Sequence, residues 1–445
     1  MQSFASELMA LRQLPGTLFV PRHRERANDM AWLAAETSRF LADPVLYLGS
    51  GLLEGITDGQ RARLVATALC ATWIWLDDAT RAEAEEALNL LLRLLPEDLA
   101  LQTFFLARQA RASHKHTRRV IVRYLLDHPE AEDLFARRRP AVTDALAHGL
   151  GKNVLRACLR LVSTEKLSAD DAVYLRRNVF RYVANANRAV RLLASLKVAT
   201  PIEGEVRYTK TSAALRHAFA WKPARPESVT AQNRGELTGA LTALYRQEPA
   251  TGLREAFANG LNQLVERAPS YSGSMALVYD ASASMAGYGE RAGCVASSAM
   301  ALRLTLERTA NDLRLYPVGG DGIAGALPEL KGATDLAGAV LDALLDKPDL
   351  VLIVTDGYEN RFGGDLARVA ATLERLGVTV PVALVVPTFS ASDDLSRRKP
   401  VATWPLLAFW HENELPELLL LAFAQAPDSR AMARAYFEKR KQRIA

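Results

Sequence analysis

The chain has 445 residues, 49% of them hydrophobic, with a formal net charge of +5. That length and apolar content suit a soluble protein of two or three folded domains. No stretch reaches the roughly 20 uninterrupted apolar residues of a membrane-spanning helix, the start carries Glu7 and lacks the basic-then-apolar order of an export signal, and Cys70, Cys158 and Cys294 are too scattered for a disulfide framework or a zinc cluster, so a reduced, cytoplasmic protein is expected.

From residue 1 to about 200 the pattern is helical nearly throughout. Apolar residues recur at spacings of three and four in RARLVATALCATWIWL, AEEALNLLLRLL, TRRVIVRYLL and NVLRACLRLV. Breaks fall at Asp43-Pro44, Pro96-Glu97-Asp98, His128-Pro129, Pro140 and Ser168-Ala169-Asp170, several of which offer caps. Such helices joined by short loops predict a helical-pair repeat region of the HEAT or armadillo type, with a compact irregular bundle as the alternative. Residues 200 to 270 change character: TPIEGEVRYTKTS and WKPARPESVTAQN read as a connection packed on its neighbours, and GLREAFANGLNQLVERA as a last helix before the next domain.

From Ser274 the period switches. SMALVYD, DLRLYPVG, DLVLIVTDG and VTVPVALVVP read as strands, alternating with helices in RAGCVASSAMALRLTLERT, DLAGAVLDALLD and DLARVAATLERLG, and ATWPLLAFW and ELPELLLLAFAQA add one more of each. Apolar strands alternating with amphipathic helices predict a mainly parallel sheet covered on both faces, with ligands beyond the carboxyl ends of its strands. The expected domains are 1–268, helical; 269–427, α/β; and 428–445, a basic segment read as a solvated terminal helix.

The loop after the first strand, ALVYDASASMAGYGERAG, is the richest in chemistry. In an extended stretch Asp280, Ser282 and Ser284 project to one side. Thr334, just before a helix, and Asp356, at the end of another strand, bring the set to five hard oxygen side chains on three loops. That set suits magnesium or another divalent cation, which prefers six oxygens and retains water, leaving room for a carboxylate from a partner. Gly287, Gly289 and Gly293 resemble a dinucleotide-binding turn only faintly, because the last spacing is one residue too long, and no P-loop occurs. No GxSxG, HExxH or cysteine–histidine pairing suggests an enzyme, so binding is expected rather than catalysis.

Asp280-x-Ser282-x-Ser284 with Thr334 and Asp356 resembles the metal-ion-dependent adhesion site of von Willebrand factor A domains, a Rossmann-like α/β fold, over residues 272 to 426. Helical repeats before such a domain, with LREAFANGL, ALVYDASASM, LIVTDGYEN and WPLLAFW in that order, resemble the Ro autoantigen (TROVE) family. That resemblance implies helical repeats that bind small noncoding RNA on a basic surface. It also implies a metal site that recruits a protein through an acidic residue.

Charge distribution agrees with an anionic partner. The net charge is −5 over residues 1–100, +13 over 101–270 and −3 over 271–445. Lys152, Arg156 and Arg160, four apart, form one helical stripe; Lys115, Arg118, Arg119 and Arg123 precede it, and Arg188, Arg191 and Lys197 follow. Stripes stacked on successive helices would offer phosphate contacts for RNA, with no DNA and no membrane expected; the alternative is that each is the solvated face of its helix. A rival to the RNA-binding scaffold is an adaptor for an AAA-type ATPase, using the same metal site without RNA.

Overall fold

The computed structural model describes residues 4–12, 31–53, 55–163, 168–197, 232–249, 251–320, 327–390, 397–427 and 429–444. Contacts divide the chain into two compact units, residues 10–220 with 441–445 and residues 1–9 with 221–440. Of the connection expected at 200–233, all but Gln232 and Asn233 lies outside the described residues.

The first unit is helical. Its described helices include α1 (Ala31–Ala42), α2 (Pro44–Gly49), α3 (Asp58–Cys70), α4 (Asp78–Leu94), α5 (Glu97–Gln109), α6 (Lys115–Asp127), α7 (Ala131–Arg137), α8 (Arg139–Leu150), α9 (Lys152–Leu161), α10 (Ala169–Asn178) and α11 (Ala186–Ser195). Starts follow local chemistry. Asp43 accepts from the Leu46 N–H at 3.1 Å and Asp77 from Thr80 at 2.8 Å, and Thr57 with Gln60 and Ser168 with Asp171 form capping boxes. Packing runs two helices ahead, α1 on α3, α2 on α4, α3 on α5, α4 on α6 and α6 on α8, which buries side chains such as Leu64, Leu88, Phe104 and Val120.

One expected helix is shorter than its apolar run. RARLVATALCATWIWL stops being helical at Cys70, and residues 71–77 form a loop that leaves Ile74 72% and Trp75 82% exposed. The cause lies elsewhere in the chain. His116 Nε2, Thr117 Oγ1 and His114 Nε2, at the start of α6, lie 3.1, 2.6 and 3.3 Å from the carbonyls of Ala68, Leu69 and Cys70, and Trp73 Nε1 donates to Ala68 at 3.0 Å. The last carbonyls of α3 are thus satisfied by side chains, and Asp77 starts α4.

The second unit is an α/β domain. It contains α12 (Glu236–Tyr245), α13 (Leu253–Arg267), β1 (Tyr271–Asp280), α14 (Cys294–Thr309), β2 (Ala310–Val318), α15 (Leu336–Leu345), β3 (Leu350–Val354), α16 (Asp365–Arg375), β4 (Val382–Pro387), β5 (Leu406–Phe409) and α17 (Leu415–Phe423). The five strands form one parallel sheet in the order β2-β1-β3-β4-β5, with Leu277 opposite Leu352 and Asp280 opposite Val318. Ala276, Val278, Val351, Ile353 and Leu384 share a core with Leu336 and Val340 of α15 and Leu366 of α16. Alternation sends Tyr279 to the opposite face, where Arg303 of α14 lies 5.5 Å from its ring centre.

The secondary-structure type changes at residue 268, but contacts assign α12 and α13 to the sheet unit, because α12 packs on α13 and both pack on α14. Glu412 cements this: its carboxylate accepts the N–H groups of Glu236 and Thr238, both at 2.7 Å, as a cap supplied from outside α12. Arg234, fully buried just before α12, donates to the carbonyls of Thr388 at 3.2 Å, Trp410 at 3.4 Å and Phe389.

The basic C-terminal segment is a helix, Ser429–Ile444, but not a freely solvated one: Arg440 and Lys441 are 2% and 7% exposed, and Lys441 pairs with Glu86 at 2.9 Å. The three cysteines are free thiols. Among the described residues no helix is long and apolar enough to cross a membrane.

Candidate functional site

The strand order fixes where a ligand site belongs. From β1 the chain moves outward to β2 and then returns to the other side of β1 for β3, so the carboxyl ends of β1 and β3 flank a topological switch point, the crevice that such sheets offer to ligands. Asp280 is the last residue of β1, and Asp356 lies two residues past the end of β3.

All five oxygen side chains singled out in the sequence meet there. The Ser282 N–H donates to Asp280 Oδ1 at 2.9 Å. Thr334 Oγ1 donates to Ser282 Oγ at 2.8 Å, and the Ser282 and Ser284 hydroxyls lie 3.1 Å apart. The Ser284 side chain lies near enough to Asp356 to favour its ionised form. The route differs from the extended stretch expected. Beyond Ser282 the chain enters a tight turn, Ala283–Ala286, and that turn, rather than strand alternation, brings Ser284 to its partners. Gly319, at φ +66°, lets the loop after β2 approach closely; a Cβ there would lie 2.8 Å from the Ser282 Cα.

Asp280, Ser282 and Thr334 are fully buried and Asp356 is 8% exposed. Burial pushes the Asp280 carboxyl up to about 6, although hydrogen bonds from Thr355 and Ser282 pull the other way, and burial also raises Asp356, which the nearby Arg398 offsets in part. Two carboxylates and three hydroxyls from three loops make an all-oxygen set suited to a hard cation with retained water. Among the described residues no three or more His, Cys, Asp or Glu side chains cluster to hold a metal ion, so a cation at this switch point would rest on two carboxylates at most, with hydroxyls, water and an outside ligand completing its shell.

Sequence reasoning missed the residues that hold this set in place. Thr355 donates to Asp280 Oδ2 at 2.7 Å and accepts the Gly357 N–H at 3.0 Å, and Asn360 Nδ2 lies 3.4 Å from Thr334 Oγ1. Arg398 stacks 3.7 Å from the ring centre of Tyr358, whose N–H donates to Asp356 Oδ1 at 3.1 Å. Thr355 had a signal, a hydroxyl at a strand end beside Asp356; Arg398 had none.

The basic residues of the helical unit divide into two groups. Arg118 donates to the carbonyls of Gly149 at 2.9 Å and Leu150 at 3.1 Å, closing the end of α8. Arg119 pairs with Glu85, and Arg188 with Glu132 at 2.7 Å. These three hold helices together. Lys115, Arg123, Lys152, Arg156, Arg160, Arg191 and Lys197 are exposed, and no ion pair to them occurs among the described residues. On α9 the stripe lies opposite the buried Leu155 and Cys158, and α9 packs on α8 and α11.

No protein-family model matches the chain, and no curated protein matches it by sequence. A solved structure, the Ro (RSR) protein of Deinococcus radiodurans, is similar over 95% of this chain and 99% of its own, with 15% sequence identity and a TM-score of 0.37.

Proposed function

We propose that the protein is a noncatalytic scaffold of the Ro type. Its α/β unit works as a von Willebrand factor A domain that binds magnesium or another divalent cation through Asp280, Ser282, Ser284, Thr334 and Asp356 and recruits a protein partner by an acidic side chain. Its helical unit, read as HEAT-like repeats, holds small noncoding RNA on the exposed faces of α6, α9 and α11. The observation that carries the reading is the convergence of all five oxygen side chains at the switch point of the sheet, where hydrogen bonds tie Thr334 to Ser282, Ser282 to Ser284 and the Ser282 N–H to Asp280. An ion with so few direct carboxylates retains positive charge and favours an anionic outside ligand. The RNA half is supported by exposed basic side chains that make no ion pair among the described residues, because such groups gain most by displacing counterions from a phosphate backbone.

The test is purification from native cells, followed by extraction and sequencing of bound nucleic acid with and without a high-salt wash. Recovery of a discrete structured RNA, lost when Lys152, Arg156 and Arg160 are neutralised, is the expected result. Protein free of RNA that retains an ATPase would overturn it in favour of the adaptor.

A further inference from the structure

A cavity of about 410 Å³ opens in the helical unit where the loop 71–77 meets the start of α6. Its size falls within the range of small-molecule sites. Arg81, Lys115 and Arg119 are among the residues that line it. Arg81 is paired with Asp78 and Arg119 with Glu85, but Lys115 has no ion pair among the described residues. Lys115 is also the first residue of α6, a 13-residue helix with no acidic residue in its first turn and no side-chain cap at His114. Basic side chains at the positive end of an uncapped helix repel both that end and one another, and an anion between them would relieve the repulsion.

Flat rings line it too. Trp73 stacks on His116 with ring centres 4.1 Å apart, and His116 on His114 at 5.5 Å, the latter pair within 5° of parallel. The stack runs from a buried Trp73 to a half-buried His114, and a planar heterocycle could extend it. His116 is 5% exposed and lines the cavity; Nε2 bonds to Ala68, and Nδ1 has no partner among the described residues. Burial holds this ring neutral, so with Nε2 donating, Nδ1 is a lone-pair acceptor for an amine or hydroxyl.

An anion site at a helix start, a ring stack and a neutral acceptor together describe one chemical group. We propose that this cavity binds a single nucleoside monophosphate unit, its phosphate at Lys115 and the first N–H groups of α6, its base against the histidine rings. The unit is either an unpaired nucleotide of an RNA strand or a free nucleotide; only the first source rests on the RNA reading above.

The test uses the full chain with two probes, adenosine monophosphate in equilibrium dialysis and a short single-stranded RNA carrying 4-thiouridine for crosslinking. The expected result is saturable binding of the monophosphate, weakened about tenfold by Lys115→Ala, the loss of one charge-assisted contact, and unchanged when Lys152, Arg156 and Arg160 are all replaced by alanine. Adenosine without its phosphate binds at least as weakly to the parent chain. Lys115 is exposed, so the variant keeps the fold, and crosslinks mapped to 72–81 or 114–119 give a readout independent of any substitution. Monophosphate that fails to bind, with RNA crosslinked to 152–160 instead, overturns the cavity and leaves the RNA reading standing. Monophosphate bound at the cavity by a chain that retains no RNA supports the free-nucleotide source and removes the RNA reading.

Discussion

In the α/β unit the hydroxyls of Thr334, Ser282 and Ser284 are bonded in a row and the Ser282 N–H holds Asp280, whereas in the helical unit Lys115, Arg123, Lys152, Arg156, Arg160 and Arg191 make no ion pair among the described residues. The first arrangement needs three loops 76 residues apart at their extremes to meet, so sheet topology sets it. The second needs only helical spacing, and what distinguishes a recognition face from a structural cation is the acid or carbonyl that a neighbouring helix does or does not supply. A ligand set is therefore broken by one residue, and a basic face only by several.

The largest contrast is expected from Asp280→Ala. Saturable magnesium binding, followed by calorimetry, should vanish while the circular dichroism of the helical unit is retained; an unchanged affinity would remove the site. Next comes replacement of Lys152, Arg156 and Arg160 together. Each lost phosphate contact should flatten the slope of log affinity against log salt by about 0.7 to 0.9, and an unaltered slope would mean that α9 shows only a solvated face. Arg118→Ala sharpens the comparison from the other side: it should lower the unfolding temperature, through the lost bonds to the end of α8, more than it changes that slope. Gly319→Ala tests the support of the proposed metal loop. A methyl group at φ +66° and 2.7 Å from the Lys331 carbonyl should cost roughly 1–3 kcal/mol in denaturant unfolding and weaken the cation.

The smallest effect is set by pH and confined to the helical unit. Burial, with His114 and Arg81 nearby, depresses His116 from 6.5 to about 3, while its bond to Ala68 pulls upward. The unfolded chain therefore takes up the proton first, and stability complete above pH 6.5 is lost progressively as pH falls toward 3. At pH 5 the loss is on the order of 2 kcal/mol. His116→Gln should make thermal unfolding less sensitive to pH between 7 and 5; an unchanged sensitivity would refute this account.

The sheet unit was the more legible because its strands, such as LVLIV and VALVVP, are buried on both faces and read as unbroken apolar runs. The meeting of Asp280 and Asp356 was legible for the same reason, since both sit at or just past the end of such a strand. The helical unit hid more. Nothing in RARLVATALCATWIWL says that His114, His116 and Thr117, some 45 residues on, will take the carbonyls of Ala68, Leu69 and Cys70 and end the helix early. Nor does the spacing of Arg118, Arg119 and Arg188 differ from that of the unpaired residues beside them. Their fates depend on Gly149, Glu85 and Glu132, long-range neighbours that no local pattern encodes.

The cap that Glu412 places on α12 spans 176 positions of sequence at Glu236. During translation, α12 emerges long before the carboxylate that completes its first turn. At about 5 to 20 residues per second, the wait is roughly 9 to 35 seconds. Throughout that interval α12 and α13 carry apolar faces without a finished sheet to cover them. The α/β unit thus closes late in synthesis, and a chain released prematurely before residue 412 should be a strong substrate for chaperones and proteases.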